Sequence, residues 1–171
     1  MRGRPDKSEA AEYYFNYIDQ VEGDDPIATL REQLQAWPVA LGAIGEEQSL
    51  YRYAPDKWSV RQVVNHVTDT ERAFAFRVLW FARGFDTPLP SYDQTIAAAG
   101  AEADQVTWAA HLEEFRQVRS ATLWLLSNMP EAAWERGGVV AGNYVTVRAL
   151  AFIIAGHVAH HGRILKEKYE A

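Results

Sequence analysis

The chain has 171 residues, of which 48% are hydrophobic and 23% are charged, and its net charge at pH 7 is −6. This composition is typical of one globular domain and argues against long disordered segments. The acidic balance argues against non-specific nucleic-acid binding, which depends on clustered Lys and Arg. Because the sequence has no cysteine, a disulfide framework, a thiolate metal site and a cysteine nucleophile are all excluded.

The N-terminal sequence MRGRPDKSEAAEYY has two arginines but no apolar run behind them, so it is not a secretory signal. No apolar stretch reaches the roughly 20 residues that a membrane span needs. The nearest, LAFIIAGHVAHHG, is interrupted by histidines. We therefore expect a cytoplasmic protein without a membrane partner, formed by a single domain over residues 1–171 in which residues 1–8 are flexible.

Apolar residues at helical spacing dominate the sequence, and Pro and Gly residues separate the predicted helices. A short helix is predicted over residues 9–21, ending before Gly23. A longer helix is predicted from Pro26 to about Ile44, since proline is favoured in the first turn. Pro38 lies inside this second segment and is expected to kink or cut the helix.

A second long helix is predicted to begin at a capping box, in which Ser59 is followed three residues later by Gln62. It is expected to continue to Arg83, with Gly84 as its stop signal. The Pro-rich segment GFDTPLPSYDQ then predicts a turn region.

Two further long helices complete the prediction. The first extends from about residue 104 or 107 to Asn128, and the segment RGGVVAGN after it is predicted to be a loop. Thr146 is expected to cap the last helix, which continues to about Tyr169. Four long helices with one or two short extra helices predict an all-α protein with a four-helix bundle.

Three of the five histidines lie close together in the last helix, in the segment GHVAHHG. An α-helix advances about 100° per residue, which allows each histidine to be placed around its circumference. His161 falls within the apolar stripe, His157 lies about 40° away on its flank, and His160 lies about 60° from His157 in the other direction. His157 and His161 are therefore expected to face the bundle interior together, and His160 is not.

The second long helix also has a histidine beside its apolar stripe, His66. Two inward histidines one turn apart, with a third from a facing helix, could supply three nitrogen ligands to a divalent metal. Water in the remaining position would leave an open site suited to Lewis-acid chemistry. The alternative is that each is an ordinary core histidine with a hydrogen-bond partner. A di-iron carboxylate site is excluded, because no Glu precedes these histidines by three residues.

The roles of three other titratable residues are less defined by the sequence. Glu71 falls on the inner side of its helix, where it could orient a ligand histidine or act as a base; the alternative is a salt bridge to an arginine such as Arg72 or Arg148. His160 is interpreted as a surface residue, a hydrogen-bond donor to a ligand, a proton shuttle or an alternative ligand. His111 lies among charged residues and is predicted to be solvent-exposed.

The order of these motifs resembles the DinB-like, or YfiT-type, superfamily. Its most specific parts are KWS followed by NHVTDTER, and the later segment GHVAHHGRIL. The similarity spans roughly residues 9–169. The name is shared with an error-prone DNA polymerase to which this superfamily is unrelated.

The resemblance implies a four-helix bundle with up-down-down-up connectivity and a metal held by His66, His157 and His161. It further implies a divalent metal cofactor (Zn, Ni or Fe) and a low-molecular-weight thiol such as bacillithiol or mycothiol. The expected partner is a small-molecule substrate, with no nucleic acid involved. Helices of this family often share apolar surface between two copies, which favours a homodimer.

Two functions are compatible with this resemblance. The first is a metal-dependent enzyme of the thiol-S-transferase or hydrolase type, with an open water position and Glu71 as the candidate catalytic residue. The second is a non-catalytic, stress-associated bundle in which the same metal site is structural or sensing. The two differ in access, because an enzyme needs a site open to solvent whereas a structural site is closed.

Overall fold

The computed structural model describes residues 3–169. Over these residues the chain forms six α-helices and a two-stranded antiparallel sheet. The helices are α1 (Phe15–Ile18), α2 (Pro26–Leu41), α3 (Val60–Ala82), α4 (Gln94–Ala101), α5 (Trp108–Ser127) and α6 (Val147–Lys168), and the strands are β1 (Gly137–Val140) and β2 (Asn143–Thr146). Short 3₁₀ turns lie at Lys7–Glu9, Glu12–Tyr14, Gln48–Leu50, Ala103–Gln105 and Glu131–Ala133.

The four long helices form a bundle in which α2 and α3 each pack against both α5 and α6. The relative directions of these helices follow from residue pairs that are in contact at two different heights of each helix–helix interface. These pairs are Trp58–Tyr169 and Phe74–His157 for α3 and α6, Ser59–Asp104 and Arg72–Glu114 for α3 and α5, Arg31–Ser127 and Leu41–Trp108 for α2 and α5, and Gln33–Ala155 and Trp37–Gly162 for α2 and α6. Thus α3 is parallel to α5 and α2 to α6, while the other two pairs are antiparallel, which confirms the predicted up-down-down-up bundle.

The predicted helix caps are present. Ser59 accepts a hydrogen bond from the Gln62 backbone N–H, and the Gln62 side chain accepts one from the Ser59 backbone N–H. Thr146 caps α6 by accepting a hydrogen bond from the Ala149 N–H at 3.0 Å. Pro38 stays inside α2, which ends at Leu41, three residues before the predicted end.

The predicted first helix over residues 9–21 is wrong in most of its length. Two separate 3₁₀ turns, Lys7–Glu9 and Glu12–Tyr14, precede α1, and only α1 is α-helical. The segment before it is held to the fold, since the Arg4 guanidinium donates hydrogen bonds to the carbonyls of Ile18 (2.9 Å) and Val21 (2.6 Å). The flexibility expected for residues 1–8 stays a prediction, and residues 1–2 lie outside the described residues.

The predicted loop RGGVVAGN is also wrong, because most of it belongs to a β-hairpin. β1 and β2 pair from Gly137 with Thr146 to Val140 with Asn143. The two residues between the strands, Ala141 and Gly142, have φ of +48° and +81°. Positive φ at both positions is the geometry of a type I′ turn, which matches the twist of two paired strands.

The hairpin packs against the end of α3. A Cβ atom at Gly138 would overlap the Phe81 ring, so glycine is needed for this close approach. The segment after α3 is held as well, because the Leu89 N–H donates to the Val139 carbonyl at 2.9 Å. Within residues 3–169, no helix combines the length and the hydropathy that crossing a membrane would require.

Candidate metal centre

α3 and α6 bring together the three predicted histidines, one from α3 and two from α6. The ring centroid of His66 lies 5.0 Å from those of both His157 and His161, and the latter two are 4.5 Å apart. One ring nitrogen from each residue lies within 4.8 Å of the others. Within the part of the chain that the structure describes, this is the group of side chains that could hold a metal ion.

The donor set fits a divalent ion. The Nε2 atoms of His157 and His161 are 3.1 Å apart. Two nitrogens bound to one tetrahedral zinc at about 2.0–2.1 Å would be separated by about 3.4 Å, so little movement would be needed. The three rings come from antiparallel helices that pack directly, which fixes their relative positions.

Burial keeps the three imidazoles neutral. It lowers the pKa of His66 from 6.5 to about 4. Burial, followed by the neighbouring histidines, lowers the pKa of His161 to about 3 and that of His157 well below 6.5. A neutral imidazole has a nitrogen lone pair for a metal ion, and the three can therefore act as ligands at pH 7 without losing a proton.

Side chains around the cluster orient the rings. Thr70, one turn after His66 on α3, has its Oγ1 3.3 Å from His66 Nδ1, which leaves Nε2 for a metal. The Trp58 ring lies 5.0 Å from the His66 ring, and the Tyr17 ring packs edge-on against His157 at 5.4 Å. Contacts of this kind hold a ligand ring in its binding orientation.

His160 points to a different set of neighbours. Its ring packs edge-on against Tyr17 at 5.3 Å, and Nδ1 lies 3.4 Å from Gln20 Nε2. The side chain is half-buried and is not one of the three residues whose nitrogens converge. This position agrees with the helical-wheel expectation that His160 faces away from the other two.

An open cleft of about 470 Å³ leads to the cluster. His66 and His157 form part of its wall. The rest of the wall consists of aromatic and polar side chains from the N-terminal segment (residues 3–18), α3, the α3–α4 connection and the hairpin. These further lining residues are Tyr13, Tyr14, Tyr17, Thr70, Ala73, Phe74, Arg77, Ser91, Tyr92, Asp93, Gln94, Val140 and Ala141. His161 instead lines a smaller pocket of about 230 Å³ on another side of the cluster.

Glu71, the candidate catalytic residue, lies in a buried ion pair. Its carboxylate accepts hydrogen bonds from Arg119 on α5 at 2.7–3.0 Å, and it does not line the cleft. The arginine is therefore neither of the two suggested by the sequence. Arg72 pairs with Asp69 and with a glutamate of α5, while Arg148 pairs with a glutamate of the N-terminal segment. A catalytic role for Glu71 stays a prediction.

The prediction for His111 is wrong. Its side chain is 1% exposed, and Nε2 lies 2.8 Å from the Ala103 carbonyl oxygen. The charged neighbours in the sequence point outward, whereas His111 lies on the face of α5 that also carries Trp108, Leu112 and Phe115. That helical stripe was the signal that indicated burial.

Sequence reasoning also missed Arg77, which lies in the wall of the cleft. Arg77 follows His66 by eleven residues, and this spacing brings it to within about 20° of His66 around α3. The periodicity therefore contained the signal. The three tyrosines of the N-terminal segment had no such signal, because the contact between this segment and α6 is not local in sequence.

Comparisons with known proteins agree with this fold. The family model described as the DinB superfamily matches residues 29–165. No curated protein matches the chain in sequence. Among solved structures, the chain is similar to YfiT from Bacillus subtilis, described as a probable metal-dependent hydrolase with an unusual four-helix bundle topology. The TM-score is 0.63, with 20% identity over 95% of this chain and 91% of YfiT, a similarity that concerns the fold.

Proposed function

This chain belongs to the DinB superfamily, and on that premise we propose that it is a metal-dependent enzyme of the thiol-S-transferase or hydrolase type. The observation that carries the proposal is that an open cleft reaches two of the three histidines. His66 and His157 line an open cleft of about 470 Å³, which is large enough for a small-molecule substrate. A purely structural metal site is instead closed off by its ligands.

In this proposal His66, His157 and His161 hold a divalent ion, which is Zn, Ni or Fe. Such an ion acts as a Lewis acid and lowers the pKa of a water or a thiol that it binds. The protein supplies the fixed positions of the three rings. Thr70 maintains the orientation of His66, because its hydroxyl lies 3.3 Å from the ring nitrogen that does not face the cluster.

Tyr17 is placed to assist a substrate beside the histidines. Its ring packs at 5.4 Å from that of His157, and its hydroxyl is 2.9 Å from that of Tyr13. Burial, followed by the hydrogen bond with Tyr13, raises the pKa of Tyr17 above 10. The phenol therefore stays protonated at neutral pH and can donate a hydrogen bond to a group bound in the cleft.

The thiol-transfer and hydrolase reactions differ in the nucleophile that they use. The chain has no cysteine, so a thiol-transfer reaction would use a thiol from solution such as bacillithiol or mycothiol. A hydrolase would use water at the same position. We place the enzyme in the cytoplasm, where low-molecular-weight thiols are kept reduced.

The alternative is a non-catalytic metal site that stabilises the bundle or senses metal. The burial of two of the ligands favours it, since His66 and His157 are only 4% and 5% exposed. Under this alternative the metal would raise the stability of the protein, but no reaction would depend on it.

Metal content is the first test. Untagged protein, purified without a nickel column, is analysed for metals alongside His66→Ala, His157→Ala and His161→Ala. His160→Ala is the matched control, because this residue lies on the same helix but outside the cluster. We expect about one metal per chain in the wild type and the control, and a loss in the other three. Absence of bound metal after addition of Zn, Ni or Fe would contradict both functions.

Activity then separates the enzyme from the structural site. The metal-loaded protein is assayed for thiol consumption with monochlorobimane as the electrophile, and for hydrolysis of a nitrophenyl ester. Turnover that disappears in His161→Ala and persists in His160→Ala supports the enzyme and identifies its reaction type. A protein that binds metal and is stabilised by it, but shows no turnover in a broad substrate screen, supports the structural alternative.

A homodimer is also part of the proposal. Two large apolar side chains on neighbouring helices are exposed, Val39 on α2 (73%) and Trp124 on α5 (71%), and a partner copy could cover them. Light scattering of the wild type and of Trp124→Ser measures the mass directly. A wild-type mass equal to that of one chain would exclude the dimer.

A further inference from the structure

Arg77 is a buried cation in the wall of the cleft. Its side chain is 7% exposed. Its neighbours are aromatic: the guanidinium carbon lies 5.1 Å from the Phe74 ring centroid, and the Tyr14 side chain lies beside it. Among residues 3–169, no carboxylate lies within ion-pair distance of Arg77.

This environment differs from that of the other buried arginines among the described residues. Arg61 pairs with Glu46 at 2.6 Å, and Arg119 pairs with Glu71 at 2.7 Å. A buried charge without a counter-ion is energetically unfavourable, and proteins normally pair it. Arg77 instead has its unpaired charge in a cleft that a ligand can enter.

The protonation state of Arg77 is suitable for binding an anion. Burial lowers its pKa from 12.5, and Tyr14 partly opposes this shift. An arginine side chain nevertheless stays protonated at neutral pH, and its planar group can donate two parallel hydrogen bonds to a carboxylate. The geometry and the missing counter-ion, rather than the pKa, make Arg77 available to a ligand.

The carboxylate of the cleft lining does not form an ion pair with Arg77. Asp93 is the acidic residue in the lining, and its Oδ1 accepts the backbone N–H groups of Thr95 (2.9 Å) and Ile96 (3.1 Å) as the N-cap of α4. The remaining polar side chains include hydroxyls such as those of Ser91 and Tyr92, which can donate hydrogen bonds to an anion.

Arg77 and the histidines lie along the same cleft. Arg77 follows His66 on α3 by roughly 16 Å along the helix axis. Phe74 lies between the two sites, since its ring is 5.1 Å from the Arg77 guanidinium carbon and 6.4 Å from the His157 ring. A small molecule can therefore contact Arg77 at one end and the histidines at the other.

We propose that the cleft binds a small organic substrate with a carboxylate group, which Arg77 binds while the reacting group lies at the three histidines. A single guanidinium matches a single negative charge, which favours a carboxylate over a phosphate dianion in a protein of net charge −6. The aromatic side chains between the two sites favour an apolar body. The inference rests on the proposed function and names its substrate class.

Paired probes test this inference by ¹⁹F NMR titration of the full chain. The probes are para-fluorobenzoate and para-fluorobenzamide, which have the same shape but differ in charge. The wild type is expected to bind the benzoate at least about tenfold more tightly than the amide, as for a charge-assisted hydrogen bond. Equal affinities, or no detectable benzoate binding, overturn the inference without any variant.

Substitutions then assign the preference to Arg77. Arg77→Gln is expected to lose the preference for benzoate, and Arg77→Lys to retain part of it, because lysine keeps the charge without the two parallel donors. The matched control is Arg72→Gln, on the same helix but exposed and outside the cleft. A full preference in folded Arg77→Gln overturns the inference.

Each titration is repeated on metal-loaded and on chelator-treated protein. The preference is expected in both, since it depends on Arg77. A preference that requires metal and not Arg77 means that the carboxylate binds the ion, which overturns the inference but leaves the proposed enzyme intact. A failure of metal binding would refute the proposed enzyme, and the Arg77 result would still stand.

Discussion

Arg119 of α5 donates three hydrogen bonds to Glu71 of α3, from Nε to both carboxylate oxygens at 2.8 and 3.0 Å and from Nη2 to Oε2 at 2.7 Å. The side chains are 0% and 2% exposed. The Nη1 atom of the same guanidinium donates to Gln33 Oε1 at 2.8 Å. The pair therefore connects α2, α3 and α5 in the interior of the bundle.

This connection predicts a structural effect of Glu71→Gln. Removing one partner of a buried ion pair leaves the other charge unpaired, so the variant should lose about 3 kcal/mol or more of unfolding free energy. Urea denaturation measures the change. Metal content should stay at the wild-type level in the folded fraction, because Glu71 is not one of the converging ligands.

The double variant Glu71→Leu with Arg119→Met is the control, because it removes both charges while keeping most of the side-chain volume. It should recover most of the stability lost by Glu71→Gln. An inactive Glu71→Gln with wild-type stability would indicate that Glu71 acts in catalysis instead.

Metal-free protein should become less stable as the pH falls. In the unfolded chain the histidines titrate near 6.5, whereas burial lowers the pKa of His66 to about 4 in the folded protein. Between these values the unfolded state binds more protons, and the unfolding free energy therefore decreases as pH falls. We expect a loss of at least about 1 kcal/mol between pH 7 and pH 5, measured by urea denaturation after chelator treatment.

His66→Gln should make this pH profile less steep, because glutamine does not titrate, while His157 and His161 continue to contribute to it. His160→Ala should change it less, since His160 is half-exposed. A wild-type stability that is independent of pH over this range would show that the histidines are not buried in the metal-free protein.

Glu9→Gln should loosen the N-terminal segment at neutral pH. The Glu9 carboxylate accepts hydrogen bonds from Thr146 Oγ1 at 2.8 Å and from Arg148 Nη2 at 2.6 Å, and so joins this segment to the start of α6. Burial alone would raise the pKa of Glu9, but the hydrogen bonds from Arg148, the Asp6 backbone and Thr146 outweigh it and lower the pKa below 4.5. The expected loss at pH 7 is about 1–3 kcal/mol.

The loss of stability in Glu9→Gln should depend on pH in a defined direction. A carboxyl whose pKa is lowered on folding contributes stability above its unfolded pKa, and this contribution is lost as pH falls through the folded value. The difference between wild type and Glu9→Gln should therefore shrink below pH 4.5. Glu12→Gln, at an exposed position of the same segment, should match the wild type throughout. An equal loss in both variants would contradict a specific contact of Glu9.

Gly156→Ala should displace α1 from α6. A Cβ atom at Gly156 would overlap the backbone carbonyl of Tyr17, and backbone cannot rotate away as a side chain can. Overpacking of this kind destabilises by about 1–3 kcal/mol. Thermal denaturation measures it. Gly100→Ala in α4 is the control, since nothing lies within 4 Å of its added Cβ and alanine favours a helix. A neutral Gly156→Ala would mean that α1 does not pack closely on α6.

The long helices and the inward positions of His66, His157 and His161 were predictable because their signals are local and periodic. His157 and His161 are one helical turn apart, and Ser59 with Gln62 marks the beginning of α3. Helix packing then needs only that apolar stripes face one another. The same periodic analysis, applied consistently to α5, would have predicted the burial of His111.

The hairpin was missed for a physical reason. Its turn places Ala141 at a positive φ, where Asn or Asp is the usual signal, and glycines occupy the first two positions of β1. The partner of Glu71 and the wall of the cleft depend on contacts between distant segments. No local pattern identifies Arg119 as that partner, because several arginines are compatible with the sequence alone.

The close approach at Gly156 has a consequence for how this protein can diversify. At Gly156 the N-terminal segment contacts α6 through the backbone of Tyr17, while the Tyr17 side chain packs against His157. The side chains at positions 13, 14 and 17, which line the cleft, precede the region that matches the superfamily, residues 29–165. Sequence changes at positions 13 and 14 can therefore reshape the cleft while the helices that carry the histidines stay constant, whereas a change at Tyr17 also alters the packing against His157.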